Sequence, residues 1–445
     1  MPAPNPSLRG LRFTLRTFGC QMNEHDSERL AGRLVAAGAV PVEDEAAGDV
    51  VIVNTCAVRT KSEAKLDSYL GRLQVLRRNR GLLVGVVGCV AQLRRERLAG
   101  PGGWADFVVG PDQYPRIVEL LAASRARPVV ATSRIRLWPE GGAFPAARKS
   151  PVSAFVTVME GCDNFCAYCV VPFVRGREKS RPLVSILDEV AGLAGEGFLE
   201  VQLLGQNVNA YRDPESGVDF AGLLARVSAV EGPAWVRFLT SHPKDFGPEI
   251  MAAMASSPKV CRQLHLPLQA GSDGVLERMN RGYGRTDYLR LVREVRELMP
   301  GIALSTDIIV GFPGETEEEF RLTLAALEEV RFSNIFSFRY SPRPLTAASK
   351  LGDDVPAEVK RRRLLEVQSL QKAIQAEIQA GFVGKRIRVL STGRSKKDAR
   401  VFSGRDEGHR VVNFRGEKDS LGRFVEVAIT SAGPYSLRGE LLRVL

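Results

Sequence analysis

A chain of 445 residues, 44% hydrophobic, with a formal net charge of +11 and a pI near 9.5, can bury full cores in about two to four domains. Its longest apolar run, residues 82–91, falls well short of the roughly 20 residues that span a membrane, and the start MPAPNPSLRG has no apolar leader core, so a cytoplasmic protein with no membrane partner is expected. Seven cysteines, six of them in two sets of three, exclude a secreted disulfide scaffold and favour thiolates kept reduced for metal work.

Residues 11–125 alternate apolar runs at 13–18, 50–53, 82–87 and 107–109 with helical stretches, the βαβ rhythm of an open parallel sheet. The first helix is expected to begin at Asn23 as N-cap, to carry Leu30 and Leu34 on one face and to stop at Gly38. Cys20 in TFGCQMN, Cys56 in NTCAVR and Cys89 in GCVAQ follow three of these strands, 36 and then 33 residues apart. Each interval is one βαβ unit, so all three thiols should emerge at the carboxyl edge of the sheet, where such sheets bind ligands. A three-thiolate cluster is the sharper reading and three small buried core residues the plainer one. Residues 126–150 hold Pro128, Trp138, Pro139 and Pro145 without a sustained period and read as a linker.

From 151 to 377 the rhythm returns, with strands expected at 154–159, 200–204, 235–240, 263–266, 303–310 and 335–339 and a trailing helix at 356–379. Six strands suggest a partial (βα)6 barrel, whose working residues lie at the carboxyl strand ends. The first strand runs into MEGCDNFCAYCVVPFVRGREKSRP, where Cys162, Cys166 and Cys169 are spaced to converge. Three ligands for a cubane 4Fe-4S cluster leave one iron open to a small molecule; a zinc site would want a fourth protein ligand. The other ends carry Gly205, Gln206 and Asn207, then Ser241, then Gln269, and glycine-rich 311–314. These offer close backbone approach and uncharged hydrogen bonds to an amino acid or ribose. Thr316 and Glu319 form a capping box for the helix after that last loop. His265 reads as a hydrogen-bonded core histidine, His242 as a turn former before Pro243, and Cys261 as buried.

The run Lys360-Arg361-Arg362-Arg363 is either a solvated helix face or a phosphate contact. Beyond it, residues 378–445 alternate as five short strands, at 386–390, 400–403, 410–414, 424–429 and 437–442, like a small OB-like β-barrel. From 381 to 445, 14 Lys and Arg stand against 7 Asp and Glu, so this tail carries +7 of the +11 and points to nucleic acid. Arg394, Lys396 and Lys397 form a basic loop, and Phe402 and Phe414 either pack the core or stack bases.

With TFGCQMN, NTCAVR, GCVAQ, EGCDNFCAYCVVPFVRG, LLGQNVNAY, TSHP, HLPLQAGSD, DIIVGFPGET and YSPRP in order, the chain resembles the radical S-adenosylmethionine (SAM) methylthiotransferases. Within them its motifs are most similar to those of the tRNA-2-methylthio-N6-dimethylallyladenosine synthases. The resemblance implies an N-terminal domain at 1–125 with an auxiliary 4Fe-4S cluster on Cys20, Cys56 and Cys89. It implies a radical SAM barrel with trailing helix at 151–377, its 4Fe-4S cluster on Cys162, Cys166 and Cys169. A TRAM domain follows at 378–445. SAM contacts are expected at Tyr168, Gly205, Gln206, Asn207, Ser241, Gln269 and Asp307, and RNA contacts at Arg361, Arg362, Arg394, Lys396 and Lys397. The implied partners are the anticodon stem-loop of tRNA, an electron donor of flavodoxin or ferredoxin type and an unnamed sulfur donor. Relatives acting on threonylcarbamoyladenosine in tRNA, or on an aspartate of a ribosomal protein, share both cysteine sets, so only the motif particulars separate them. A non-catalytic Fe-S tRNA-binding protein would form no 5′-deoxyadenosine.

Overall fold

In the N-terminal third of the computed structural model, β1 (Arg12–Phe18), β2 (Val40–Pro41), β3 (Val50–Thr55), β4 (Leu83–Val87), β5 (Phe107–Val109) and β6 (Val129–Ala131) form one all-parallel sheet in the order β2-β1-β3-β4-β5-β6. The structure describes residues 8–58, 60–99, 102–138, 146–395, 398 and 400–445. Every residue of β3 is buried, as expected of a central parallel strand covered on both faces. The crossovers include α1 (Gln21–Ala36), α2 (Thr60–Arg80), α3 (Cys89–Arg94) and α4 (Ile117–Ser124). Two sequence expectations shift here. Helix α1 starts at Gln21 with Cys20 as N-cap; Asn23 sits in the first turn, where its Oδ1 accepts from the Cys20 backbone N–H and its Nδ2 donates to Asn54 of β3. The supposed linker also begins later than expected. Residues 129–131 pair with β5, too short a segment to show a period yet sufficient to close the sheet edge. Pro139 and Pro145 lie outside the described residues.

The middle of the chain builds β7 (Ser153–Thr157), β8 (Met159–Glu160), α5 (Val171–Val174), β9 (Lys179–Ser180), α6 (Leu183–Gly195), β10 (Glu200–Leu204), α7 (Phe220–Ala229) and β11 (Trp235–Phe238). Then come α8 (Pro248–Ser256), β12 (Gln263–His265), α9 (Asp273–Arg278), α10 (Arg285–Leu298), β13 (Ala303–Val310), α11 (Glu317–Val330), β14 (Asn334–Arg339) and α12 (Ala357–Ala380). Two three-stranded parallel sheets, β11-β10-β7 and β12-β13-β14, are bridged by Val236 and Val260, giving the expected open arc of six strands. Leu304, Ile308 and Val310 of β13 belong to the core under the helices, so Ser305 and Asp307 face the barrel interior by strand alternation. The Thr316–Glu319 capping box is present at α11.

Glu189 of α6 is buried between Arg148, at 2.6 Å, and Arg181. Burial opposes its charge, but Arg181, His25 and Arg148 outweigh it and hold the carboxyl below its usual range. Glu189→Gln leaves two buried guanidiniums without their anion and should cost about 3–5 kcal/mol. Because the folded value is depressed, the carboxylate's contribution is complete above about pH 4.5 and is lost as pH falls through the folded value. The gap in melting temperature between wild type and Glu189→Gln should therefore be wide at pH 7 and shrink in acid; a gap independent of pH would refute this.

The tail closes into a barrel of β15 (Arg386–Arg394), β16 (Val401–Asp406), β17 (Val411–Arg415), β18 (Phe424–Ala432) and β19 (Leu437–Val444), ordered β15-β16-β17-β19-β18. Phe402 and Phe414 stack on each other, ring centroids 5.9 Å apart, and both are buried in its core, so core packing is what they do. The barrel seats against Val152 before β7, Trp235 at the start of β11 and Cys261 before β12. It thus covers the amino-terminal edge of the central strands, opposite the cysteine loop. Among the described residues no helix is long and apolar enough to cross a membrane.

Candidate metal-cluster and ligand site

Strands β1, β3 and β4 are neighbours, so their carboxyl ends deliver Cys20, Cys56 and Cys89 to one place. Gly88 makes the turn from β4 into α3 at φ +94°, and a Cβ there would stand 2.3 Å from Asn54 Oδ1; only glycine turns Cys89 toward the other two. The thiols interact. Cys20 is pulled down to about 6, chiefly by its hydrogen bond with Cys56, with help from backbone N–H groups at Asn23 and Met22 and from Arg175. Cys56 is pushed up, chiefly by its interaction with Cys20 and then by burial. Burial likewise pushes Cys89 up, while Arg175 opposes it.

The second set lies on a loop pinched by the antiparallel ribbon β8-β9. Gly161 opens the loop at φ +84°, where a Cβ would stand 2.0 Å from the Arg177 carbonyl oxygen. The Ala167 N–H donates to the Met279 carbonyl and the Cys169 N–H to the Cys166 carbonyl. Burial, mainly, pushes Cys162 up to about 11 and Cys169 up to about 12, and repulsion from Cys166 adds to both. Such thiols resist ionising together unless cationic metal displaces their protons, which suits a cluster. Among the described residues no three His, Cys, Asp or Glu side chains gather as they would round a single metal ion; cysteines on different irons of a cubane stand farther apart. Three cysteines per set match the ligand number of a 4Fe-4S cluster with one open iron.

Around the cysteine loop, the strand ends carry buried polar atoms with no partner among the described residues: Gln206 Nε2, Asn207 Oδ1, Asn209 Oδ1, Ser241 Oγ and Gln269 Oε1. Buried polar atoms left without partners are costly, and their gathering at strand ends fits a polar ligand rich in donors and acceptors. Gln206 and Asn207 are anchored through their other polar atom. Gln206 Oε1 accepts from the Gly161 N–H, and Asn207 Nδ2 donates to Asp245 at 2.7 Å. Gly205 has no room for a side chain, since a Cβ would meet Met159 Cγ at 2.6 Å. Gln269 holds φ +73°, a strained conformation of the kind found at ligand sites. Tyr168 accepts from Arg281 through its hydroxyl, and Asp307 stands 3.6 Å from His265 Nε2. His265 also bonds Ser305, and His242 caps the turn at Lys244 while its Nε2 stands 3.9 Å from Cys166 Sγ.

The basic run divides by helix period. Lys360 and Arg363 turn inward, Lys360 to Asp353 and Arg363 to Glu315 at 2.7 Å, because positions three apart share a face. Arg361 is exposed, and Arg362 is exposed but held by Glu317 and Glu366, each at 2.7 Å. Of the two readings of this run, the solvated face holds for Arg361 and Arg362 and not for Lys360 and Arg363, which are buried. Arg394 is exposed over the Phe402 ring, whereas Lys396 and Lys397 lie outside the described residues. Sequence reading missed Arg175 and Arg281. Arg175 Nε donates to Cys89 Sγ at 3.3 Å and Arg281 Nη1 to Cys166 Sγ at 3.1 Å; a lone arginine among VVPFVRG was the available signal for the first.

Three families match in succession: the uncharacterized protein family UPF0004 over residues 12–110, the radical SAM superfamily over 156–327 and the TRAM domain over 381–442. The tRNA-2-methylthio-N(6)-dimethylallyladenosine synthase of Geobacter metallireducens is 48% identical over 430 residues, 96% of this chain and 97% of the relative. That of Geobacter sulfurreducens is 47% identical over 437 residues, again 96% and 97%. The chain belongs to the tRNA-2-methylthio-N(6)-dimethylallyladenosine synthase family. Solved structures share the fold at low identity. The radical SAM methyltransferase TsrM of Kitasatospora setae superposes with TM-score 0.54 at 17% identity over 76% of this chain and 77% of its own. The cobalamin-dependent radical SAM enzyme OxsB gives 0.52 at 12%, over 82% and 57%. For this family member the three matched segments coincide with the parallel sheet, the open barrel and the closed tail barrel.

Proposed function

We propose that this protein is a cytoplasmic tRNA-modifying enzyme that installs a methylthio group on carbon 2 of N6-(dimethylallyl)adenosine at position 37, beside the anticodon. The observation that carries this reading is the pair of cysteine sets, one at neighbouring strand ends and one on a loop whose Arg175 reaches Cys89 of the other, in a chain nearly half identical to such synthases. Carbon 2 of adenine is an unactivated C–H, so the reaction needs hydrogen abstraction and sulfur delivery close together; two bound 4Fe-4S clusters and SAM supply these. The protein's own work is to hold and orient. Cys162, Cys166 and Cys169 keep one cluster under the barrel mouth, with Gln206, Asn207, Ser241 and Gln269 offering unused polar atoms to SAM, and Tyr168, Gly205 and Asp307 shaping its surroundings. Cys20, Cys56 and Cys89 keep the other across the domain boundary. A single-stranded anticodon-loop base can be splayed into the barrel mouth at modest cost. Electrons would come from a protein of flavodoxin or ferredoxin type.

Nucleoside analysis of tRNA from cells lacking this protein should show the 2-methylthio group lost and the dimethylallyl group retained; a full complement of methylthio groups would refute the assignment. Arg361 and Arg394 are proposed phosphate contacts. Replacing either with Ala should weaken tRNA binding and flatten its salt dependence by about 0.7 in log–log slope per contact; an unchanged slope would remove that residue from the interface.

A further inference from the structure

Each cysteine set has a buried arginine aimed at one of its sulfurs, and neither arginine belongs to the expected ligand sets. Arg175 follows Cys169 by six residues, yet it serves the other set: its Nε donates to Cys89 Sγ at 3.3 Å and its Nη2 to Asp26. The segment between them is locked, with Val170 and Val174 buried in the core of the N-terminal sheet beside Cys89. The remaining Nη1 of Arg175 is buried with no partner among the described residues. Arg281 mirrors this at the barrel. It donates to Cys166 Sγ at 3.1 Å, and Tyr168, Tyr283 and the Pro267 carbonyl fix its plane. Its Nη1 turns to Cys166 Sγ and the Tyr168 hydroxyl, both on the cysteine loop, whereas Asp26 draws part of the Arg175 charge away.

Hydrogen bonds to sulfur and nearby charge set the potentials of Fe-S clusters. Reduction adds one negative charge to a cluster, which an N–H donor and a guanidinium stabilise. Resting on the two-cluster reading above, we propose that Arg175 and Arg281 are positioning residues that each raise the reduction potential of one cluster: Arg175 that on Cys20, Cys56 and Cys89, Arg281 that on Cys162, Cys166 and Cys169. The loop that holds one cluster thereby contributes the donor to the other.

The test uses full-length protein, anaerobically reconstituted, in two backgrounds that isolate the clusters: Ala at Cys162, Cys166 and Cys169, or Ala at Cys20, Cys56 and Cys89. Dithionite supplies the electrons and electron paramagnetic resonance reads the reduced cluster. Arg175→Gln should lower the reduction equilibrium of the first at least tenfold, about 59 mV for one electron, and leave the second unmoved. Arg281→Gln should do the reverse, and the Lys variants should recover part of each shift. Asp26→Asn frees the Arg175 charge and should shift the first cluster upward, a sign that simple loosening would not produce. Full iron content with an unmoved potential, a shift in the wrong cluster, or a downward shift in Asp26→Asn overturns the inference. Where Arg175→Gln holds no iron, the signs of the Lys and Asp26→Asn shifts decide. Absence of iron from either cysteine background overturns the two-cluster reading itself.

Discussion

Cys162→Ala should abolish both SAM cleavage and methylthiolation, whereas Cys56→Ala should abolish methylthiolation and leave 5′-deoxyadenosine formation in place. The split follows from position. Cys162 stands on the loop whose surroundings carry the unpartnered polar atoms of Gln206, Asn207, Ser241 and Gln269, so losing its thiol removes the site where SAM would be held. Cys56 is buried just past the end of β3, where its Sγ receives the Val58 N–H at 3.3 Å. Each variant should retain roughly half of the wild-type iron and sulfide after anaerobic reconstitution, one of two clusters. The Cys→Ala change deletes a single atom from a packed position, so the fold should survive. Wild-type iron content in either variant would refute that ligand assignment, and loss of 5′-deoxyadenosine in Cys56→Ala would refute the division of labour.

Arg237→Ala should be among the most destabilising single changes outside the cysteine sets. The side chain, on the third residue of β11, is fully buried against the tail barrel. Its Nε donates to Glu200 at 2.6 Å, its Nη1 to the Glu407 carbonyl at 2.6 Å and its Nη2 to the Asp406 carbonyl at 2.7 Å. It also lies 4.8 Å from the Trp235 ring centroid, and Trp235 meets Phe424 of the tail barrel edge to face. Removing it strands a buried carboxylate and two carbonyls at once, a cost of about 3–5 kcal/mol. The expected results are a lower melting temperature and faster proteolysis at 381–385, where α12 passes into the tail barrel. Unchanged melting and proteolysis would show that the tail is held by its apolar contacts alone. The same geometry argues against deleting residues 381–445 to test RNA binding. The deletion would bare Trp235, Val152 and Cys261 and confuse lost affinity with lost stability, which is why the surface changes at Arg361 and Arg394 are the cleaner probes.

The strand positions were legible because buried parallel strands read as apolar runs, and the cysteine sets because their spacing matched one βαβ unit or one loop. Short or shared features were not. The three residues of β6 show no period and are strand only because β5 offers an edge. Asn23 looks like a helix cap in isolation, but its amide is committed to Asn54, and the cap passes to Cys20. Lys360 and Arg363 read as surface charge until the loops before α12 and α11 present Asp353 and Glu315 to them.

By itself, the order of amino acids determined three domains, two sets of three thiols at strand ends, and a basic tail, since each is a matter of local period, spacing or charge. Only the tertiary structure decided that Arg175 crosses from one cysteine set to the other, that the strand ends hold polar atoms awaiting partners, and that the tail barrel sits on the edge opposite the cysteine loop. Those are contacts between residues far apart in the chain, fixed by how sheets and helices pack, and no local pattern encodes them.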